Sequence, residues 1–77
     1  MDLLEVEWCS ITHNDDRDSG YCVGYHRSGA RVSSFSYNGL SLAGVIQKIQ
    51  REWPECDTSN LRAGDGPTNA LLRALGY

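Results

Sequence analysis

Long apolar runs, lysines and a surplus of positive charge are all missing from this chain of 77 residues. Its apolar stretches span only a few residues, whereas a helix that crosses a bilayer needs about 20. Lys48 is the single lysine, and ten acidic against seven basic residues give a net charge of -3. The sequence therefore argues against a membrane protein, and against a protein that binds nucleic acid mainly through phosphate contacts.

The number of cysteines is small and odd. Cys9, Cys22 and Cys56 cannot all pair within one chain. Residues 1–5 show neither the basic region nor the cleavage site of a secretory signal. We therefore expect reduced thiols and a cytoplasmic location, which would be the host cytoplasm for a phage-encoded chain.

The composition that is present is that of a globular protein, with 40% hydrophobic and 22% charged residues. A chain this short has room for one modest core. We therefore predict a single small domain over residues 1–77.

Apolar and polar residues alternate in three segments, which predicts three strands. The first spans about 3–12, the second follows the polar turn at 14–20 and ends at 27–30, and the third spans 31–37. The residues between them are mainly Asn, Asp, Ser and Gly, which favour tight hairpins. The simplest arrangement is an antiparallel meander.

After residue 40 the apolar period becomes that of a helix. Ser41 is placed as the N-cap and Pro54 ends the helix, while a second helix begins at Pro67 and stops at Gly76. The apolar residues of the two helices are Leu42, Val45, Ile46, Ile49, Trp53, Leu71, Leu72 and Leu75. The predicted fold class is α+β: a three-stranded antiparallel β-meander followed by two α-helices packed on one face, in the order βββαα.

The alternation also predicts which face of the sheet is buried. We expect the strands to contribute Leu4, Val6, Trp8, Tyr21, Val23, Tyr25 and Val32 to the core. The opposite face then carries Ile11, Cys22, His26, Arg31, Phe35 and Tyr37. A two-residue hairpin loop at 28–29 sets Phe35 beside Cys22 on that face. Two alternatives place Phe35 and Tyr37 beneath the second helix or residues 55–66, or let a bulge turn the third strand over.

Two cysteines and two histidines share a spacing typical of zinc ligands, namely Cys9, His13, Cys22 and His26. A turn centred between Arg17 and Asp18 sets Cys9 opposite His26 and His13 opposite Cys22. Ligands four residues apart in one strand are about 13 Å apart, too far to share one ion. We therefore expect no metal, no cofactor and no catalytic site, although zinc- or cysteine-dependent activity at either cross-strand pair is an alternative.

The acidic turn resembles the start of a calcium loop, because Asn14, Asp16 and Asp18 alternate as ligands would. Gly20 comes one position late, and Tyr25 stands where a bidentate Glu is needed. We therefore interpret the turn as a solvated hairpin loop.

An outer sheet face with aromatic and arginine residues is typical of an interface. We expect a small non-catalytic protein that binds and blocks a partner protein, as an inhibitor or an accessory subunit. Small acidic proteins of phages and mobile elements, among them anti-CRISPR proteins and antitoxins, are an analogy at the level of class. The expected contacts are Phe35, Tyr37, Arg31, His26 and Ile11 as anchors, with Glu5, Glu7, Asp15, Asp16 and Asp18 facing basic patches of the partner, such as those of a nucleic-acid-binding complex.

The main alternative is a module that binds single-stranded nucleic acid by stacking bases on sheet aromatics. Phe35 and Tyr37 would stack, and Arg27 and Arg31 would contact phosphates. A homodimer through an open sheet edge, at the first or third strand, is a further expectation.

Overall fold

The computed structural model describes residues 5–77, so the predicted start of the first strand at residue 3 and the predicted core residue Leu4 lie outside the described residues. The elements are β1 (Trp8–Asn14), β2 (Ser19–Tyr25), β3 (Arg31–Asn38), α1 (Leu42–Glu52), a 3-10 turn (Thr58–Asn60), β4 (Arg62–Ala63) and α2 (Gly66–Ala74). The predicted α+β class and its βββαα order are confirmed, with β4 as a short addition.

The sheet has the strand order β3-β2-β1-β4. The two hairpin pairs are antiparallel, as predicted, whereas β4 lies parallel to β1 with Ser10 opposite Arg62 and Ile11 opposite Ala63. Sequence analysis missed β4 because two residues carry no period. Its position beside β1 leaves β3 and β4 as the two edge strands.

The predicted open edge at the first strand is wrong, because the chain segment before α2 covers it. The carbonyl of Glu7 accepts a hydrogen bond from the Asp57 amide at 3.1 Å, and the carbonyl of Ile11 accepts one from the Gly64 amide at 2.7 Å. Backbone groups of β1 are therefore paired on that side.

Both helices begin at side-chain caps. Ser41 Oγ accepts a hydrogen bond from the Gly44 amide at 3.3 Å, and Asp65 Oδ1 accepts one from the Thr68 amide at 2.9 Å. α1 ends at Glu52, and its C-cap Trp53 directly precedes Pro54. The predicted Ser41 cap and the proline stop are therefore confirmed.

The predicted assignment of sheet faces is wrong, because the two faces of β1, β2 and β3 are exchanged, although Val23 is buried at 9% exposure, as predicted. Cys9 and Ile11 are fully buried and His13 is 3% exposed, so these odd residues of β1 face the helices. Val6 is also buried although it lies three residues before Cys9. Strict alternation would put these two on opposite faces, so the period is interrupted between them and does not carry over into β1.

One core lies between the sheet and the helices. It contains the predicted helix residues Leu42, Val45, Ile46, Ile49, Trp53 and Leu72, together with Val6, Cys9, Ile11, Cys22, Tyr37 and Cys56. Val32 and Leu71 pack against it while remaining partly exposed. Leu75 was predicted to join the core but is 49% exposed, because α2 ends at Ala74. None of the helices in residues 5–77 is long and apolar enough to cross a membrane.

Candidate functional site

The outer face of the sheet, away from both helices, carries three large aromatic side chains. Trp8 lies opposite Tyr25, and their rings stack with centroids 4.2 Å apart and an interplanar angle of 14°. Tyr21 is two residues before Val23 on the same face of β2 and is 51% exposed. Sequence analysis placed these aromatic side chains in the core.

Two arginines accompany the aromatic residues. The Arg62 guanidinium lies 4.3 Å from the centroid of the Trp8 ring, within the range of a cation–π contact. Arg31, at the start of β3, donates from Nη2 to Ser34 Oγ at 3.1 Å and lines a shallow depression together with Tyr21. We call Trp8, Tyr21, Tyr25, Arg31 and Arg62 the outer-face cluster.

Carboxylates are kept off this face. Alternate residues of each strand face away from the core. In the described strands these outward positions are occupied by the outer-face cluster and by Val23, hydroxyl residues and Asn. The outer face is therefore locally cationic although the whole chain has a net charge of -3.

Three predicted anchors face inward instead of outward, so their placement was wrong. Ile11 is fully buried and Tyr37 is 9% exposed. Phe35 lies opposite Cys22, as predicted, but on the helix side, where its ring is 5.1 Å from that of Trp53. In the folded chain these side chains build the core.

The remaining predicted contact residues lie at the surface. Glu5 is exposed, and Glu7 pairs through Oε2 with Arg27, accepting from its amide at 2.8 Å and lying 3.3 Å from its Nε. His26 Nε2 is 3.8 Å from the same carboxylate oxygen. Glu7, His26 and Arg27 therefore lie together at the end of the sheet opposite the acidic turn.

The acidic turn between β1 and β2 contains the exposed residues Asp15, Asp16 and Asp18. Asp18 has a φ of 49°, in the left-handed region, and its carbonyl accepts hydrogen bonds from the amides of Gly39 at 2.8 Å and Leu40 at 3.1 Å. These bonds attach the turn to the chain that follows β3.

Beneath the acidic turn lies a buried polar network around His13. Its amide donates to Thr68 Oγ1 at 2.9 Å, and that hydroxyl donates to the His13 carbonyl at 3.3 Å. Its ring is hydrogen-bonded through Nδ1 to the Tyr37 hydroxyl. Burial, with Cys22 and Asp18 nearby, raises the pKa of Tyr37, so the hydroxyl keeps its proton at neutral pH.

Gly20 makes the contact between His13 and Tyr37 possible. It lies opposite both residues in the middle strand, and a Cβ there would meet the carbonyl oxygen of Thr12 at 2.0 Å and the Tyr37 hydroxyl at 2.9 Å. The missing side chain leaves room for the two rings to lie 5.7 Å apart, tilted by 18°. In the sequence, a Gly between alternating residues was the available signal for such a close approach.

The predicted cross-strand pairs Cys9/His26 and His13/Cys22 do not form. The turn is centred one residue earlier than predicted, so Cys9 lies opposite Gly24 and His13 opposite Gly20. Cys9, His13 and Cys22 also face the core and not the outer face. These two pairs therefore provide neither a zinc site nor a Cys–His dyad.

All three cysteines are free thiols and buried in the described structure. Burial is the main reason that the pKa of Cys22 rises to about 12. A hydrogen bond between the Cys9 and Cys56 thiols raises the pKa of Cys9 and lowers that of Cys56. The cluster is a poor source of nucleophilic thiolate, because the thiols are covered and two of them are harder to ionise.

Neither a protein-family model, nor a curated protein, nor a solved structure matches this chain.

Proposed function

We propose that this chain is a small non-catalytic protein that binds a partner protein through the outer-face cluster and acts as an inhibitor or accessory subunit. The proposal rests on one observation, the open sheet face that carries Trp8, Tyr21, Tyr25, Arg31 and Arg62. Trp, Tyr and Arg are the residue types in which binding hot spots are enriched.

The positive charge of the outer face indicates what kind of partner surface would bind it. Arg31 and Arg62 are more than one-third exposed and no strand carboxylate faces them, so the complementary surface offers carboxylates around an apolar centre. The acidic turn and Glu7 lie at the two ends of the sheet, where they would contact basic residues at the rim. The three buried thiols remain reduced in the cytoplasm, where we propose that the protein acts.

Single-stranded nucleic acid is the second candidate, because the same cluster combines stacking rings with two arginines. Aromatic side chains on a sheet stack bases, at about 1–3 kcal/mol for each base. The net charge of -3 opposes this candidate, whereas the absence of strand carboxylates from the face favours it.

Two variants with a matched control test the proposal. Tyr21→Ser and Arg62→Ser alter the outer-face cluster, and Arg73→Ser removes the same charge from the exposed side of α2. A partner is isolated on the wild-type protein and purified, and its Kd is measured for each variant. We expect each cluster variant to weaken binding at least tenfold and Arg73→Ser to change it less than twofold.

Equal affinity for all variants would contradict the use of this face. The competing function is measured directly by titrating labelled oligonucleotides at several salt concentrations. Salt-dependent oligonucleotide binding that Tyr21→Ser and Arg62→Ser abolish would support nucleic acid, and not a protein, as the partner of this face.

A further inference from the structure

Among the described side chains, those of residues 5–59 and 61–77, one buried polar atom has no hydrogen-bond partner, and it is Nε2 of His13. The side chain of His13 is fully buried. A buried nitrogen without a partner costs about 1–3 kcal/mol, so such atoms are rare in folded proteins and call for an explanation.

Two carboxylates of the acidic turn lie close to the His13 ring. Single ligand atoms of His13, Asp15 and Asp18 lie within 4.8 Å of one another, and Asp18 Oδ1 is 3.9 Å from Nε2. That separation is too long for a hydrogen bond. The ligands of a tetrahedral ion at about 2.1 Å lie about 3.4 Å from each other, so small rotations of the exposed carboxylates would bring all three atoms into a first coordination shell.

We propose that His13, Asp15 and Asp18 bind a Zn²⁺ ion. One imidazole nitrogen with two carboxylate oxygens suits zinc, while Ca²⁺ and Mg²⁺ prefer oxygen ligands alone. Three protein ligands leave a fourth position for water. His13 and Asp15 both line an open cleft at the end of the sheet, which provides a path for the ion.

The other ring nitrogen of His13 is held as a zinc ligand requires. With Nε2 on the metal, Nδ1 carries the proton and donates it to the oxygen of Tyr37. Such a second partner fixes the tautomer and the orientation of a metal-binding imidazole. Tyr37 is therefore a positioning residue of the proposed site.

The sequence contains a control inside the acidic turn. Asp16 is exposed like Asp15 and Asp18 but is not part of the group formed by His13, Asp15 and Asp18. Asp15→Asn, Asp16→Asn and Asp18→Asn each remove one negative charge, and Asn tolerates the left-handed φ at position 18. A substitution of the buried His13 is not needed for the test.

The experiment titrates ZnCl₂ into the reduced, metal-free full chain by calorimetry. We expect one ion per chain, affinity at least tenfold weaker in Asp15→Asn and Asp18→Asn, and less than a twofold change in Asp16→Asn. Tyr37→Phe weakens binding by about 10–100-fold if it acts as a positioning residue. In long-range ¹H–¹⁵N spectra, Zn²⁺ shifts the Nε2 signal of His13 and leaves that of His26 in place.

Three results would overturn the proposal. The first is no stoichiometric binding at micromolar protein, and the second is equal weakening in all three Asn variants, which would show diffuse attraction to the acidic turn. The third is a sulfur-to-metal charge-transfer band with Co²⁺ as the probe, which would assign the ion to the buried cysteines.

Discussion

The hydroxyl of Thr68 bridges two elements that are 55 residues apart in the chain, and its removal should be costly. Thr68 is fully buried and satisfies both the amide and the carbonyl of His13. Thr68→Val keeps the shape of the side chain and removes the hydroxyl. Each of the two backbone groups left without a partner costs about 1–3 kcal/mol, so we expect a total loss of about 2–6 kcal/mol.

That loss is large for a chain of this size. At about 0.05–0.15 kcal/mol for each residue, the whole domain is stable by about 4–12 kcal/mol. A loss of 2 kcal/mol lowers the Tm of such a domain by at least about 8 °C. Urea unfolding, followed by the fluorescence of the buried Trp53, measures the change.

A second substitution separates hydrogen bonding from packing. Thr68→Ser keeps the hydroxyl and deletes one buried methyl group, at about 1 kcal/mol. If packing alone mattered, Thr68→Val would leave stability unchanged and Thr68→Ser would lower it. If the hydrogen bonds matter, Thr68→Val lowers stability more than Thr68→Ser does. Thr58→Val is the surface control, because Thr58 only accepts a 3.4 Å bond from Gln50 and the change should stay within about 0.5 kcal/mol. A Thr68→Val variant that is as stable as the wild type would refute the reasoning.

Three further changes test other parts of the structure. Hydrogen bonds from Thr68 lower the pKa of Asp65. The stabilising effect of the Asp65 carboxylate is therefore complete above the unfolded pKa of about 3.9 and is lost as the pH falls through the folded pKa. Asp65→Asn keeps a cap oxygen, so the urea midpoint of this variant should fall less than that of the wild type between pH 6 and pH 2. With a pKa of about 12, Cys22 should be alkylated at pH 8 at least about 100-fold more slowly in the native than in the urea-unfolded chain, as mass spectrometry of the modified peptides measures, and equal rates would contradict its burial. Gly44→Ala should raise stability by about 0.5–1 kcal/mol, because the atom nearest to the new Cβ would lie 3.5 Å away. Gly24→Ala should lower stability by about 1–3 kcal/mol, because Val6 would lie only 2.7 Å from the new Cβ. Thermal melts that rank the two variants the other way would be inconsistent with these contacts.

Local signals in the sequence were sufficient for the order of elements. The helical period from Leu42 to Trp53, together with Ser41 and Pro54, predicts α1 almost to its ends, because capping and apolar spacing are local properties. Gly44 lies inside α1, where a glycine lowers helix stability relative to alanine, yet its surroundings would accept a methyl group. A local cost therefore need not indicate a tertiary contact.

The buried face of the sheet could not be predicted from the first residues of the chain. The alternation of Val6 and Trp8 was extended into β1, where the structure interrupts it. Two later signals point the other way, since Cys9 and Ile11 alternate with Ser and Thr, and Phe35 and Tyr37 alternate with serines. Given the correctly predicted pairing of Phe35 with Cys22, these two alternations are mutually consistent only if those residues share the core face.

The site around His13 depends on contacts that no local pattern contains. Its partners Tyr37 and Thr68 come from a different strand and from a helix, and Asp18 is brought near by the exact centre of the turn. A shift of the turn by one residue changes every cross-strand neighbour, so a prediction that centred it one residue late paired His13 with Cys22. Gly20 was the only local sign that something approaches the backbone there.

The closed edge of β1 has a consequence for the way this chain folds as it is synthesised. The three strands of the meander emerge first, but the partners of Glu7, Ile11 and His13 on that edge belong to residues 57–68. Until these last residues arrive, β1 presents unpaired backbone groups beside a sheet whose helix side still lacks α2, and an exposed strand edge of this kind is prone to pairing with other chains. Chains that stop before residue 57 are therefore expected to aggregate, because residues 57–77, just over a quarter of the sequence, supply the groups that pair with this edge.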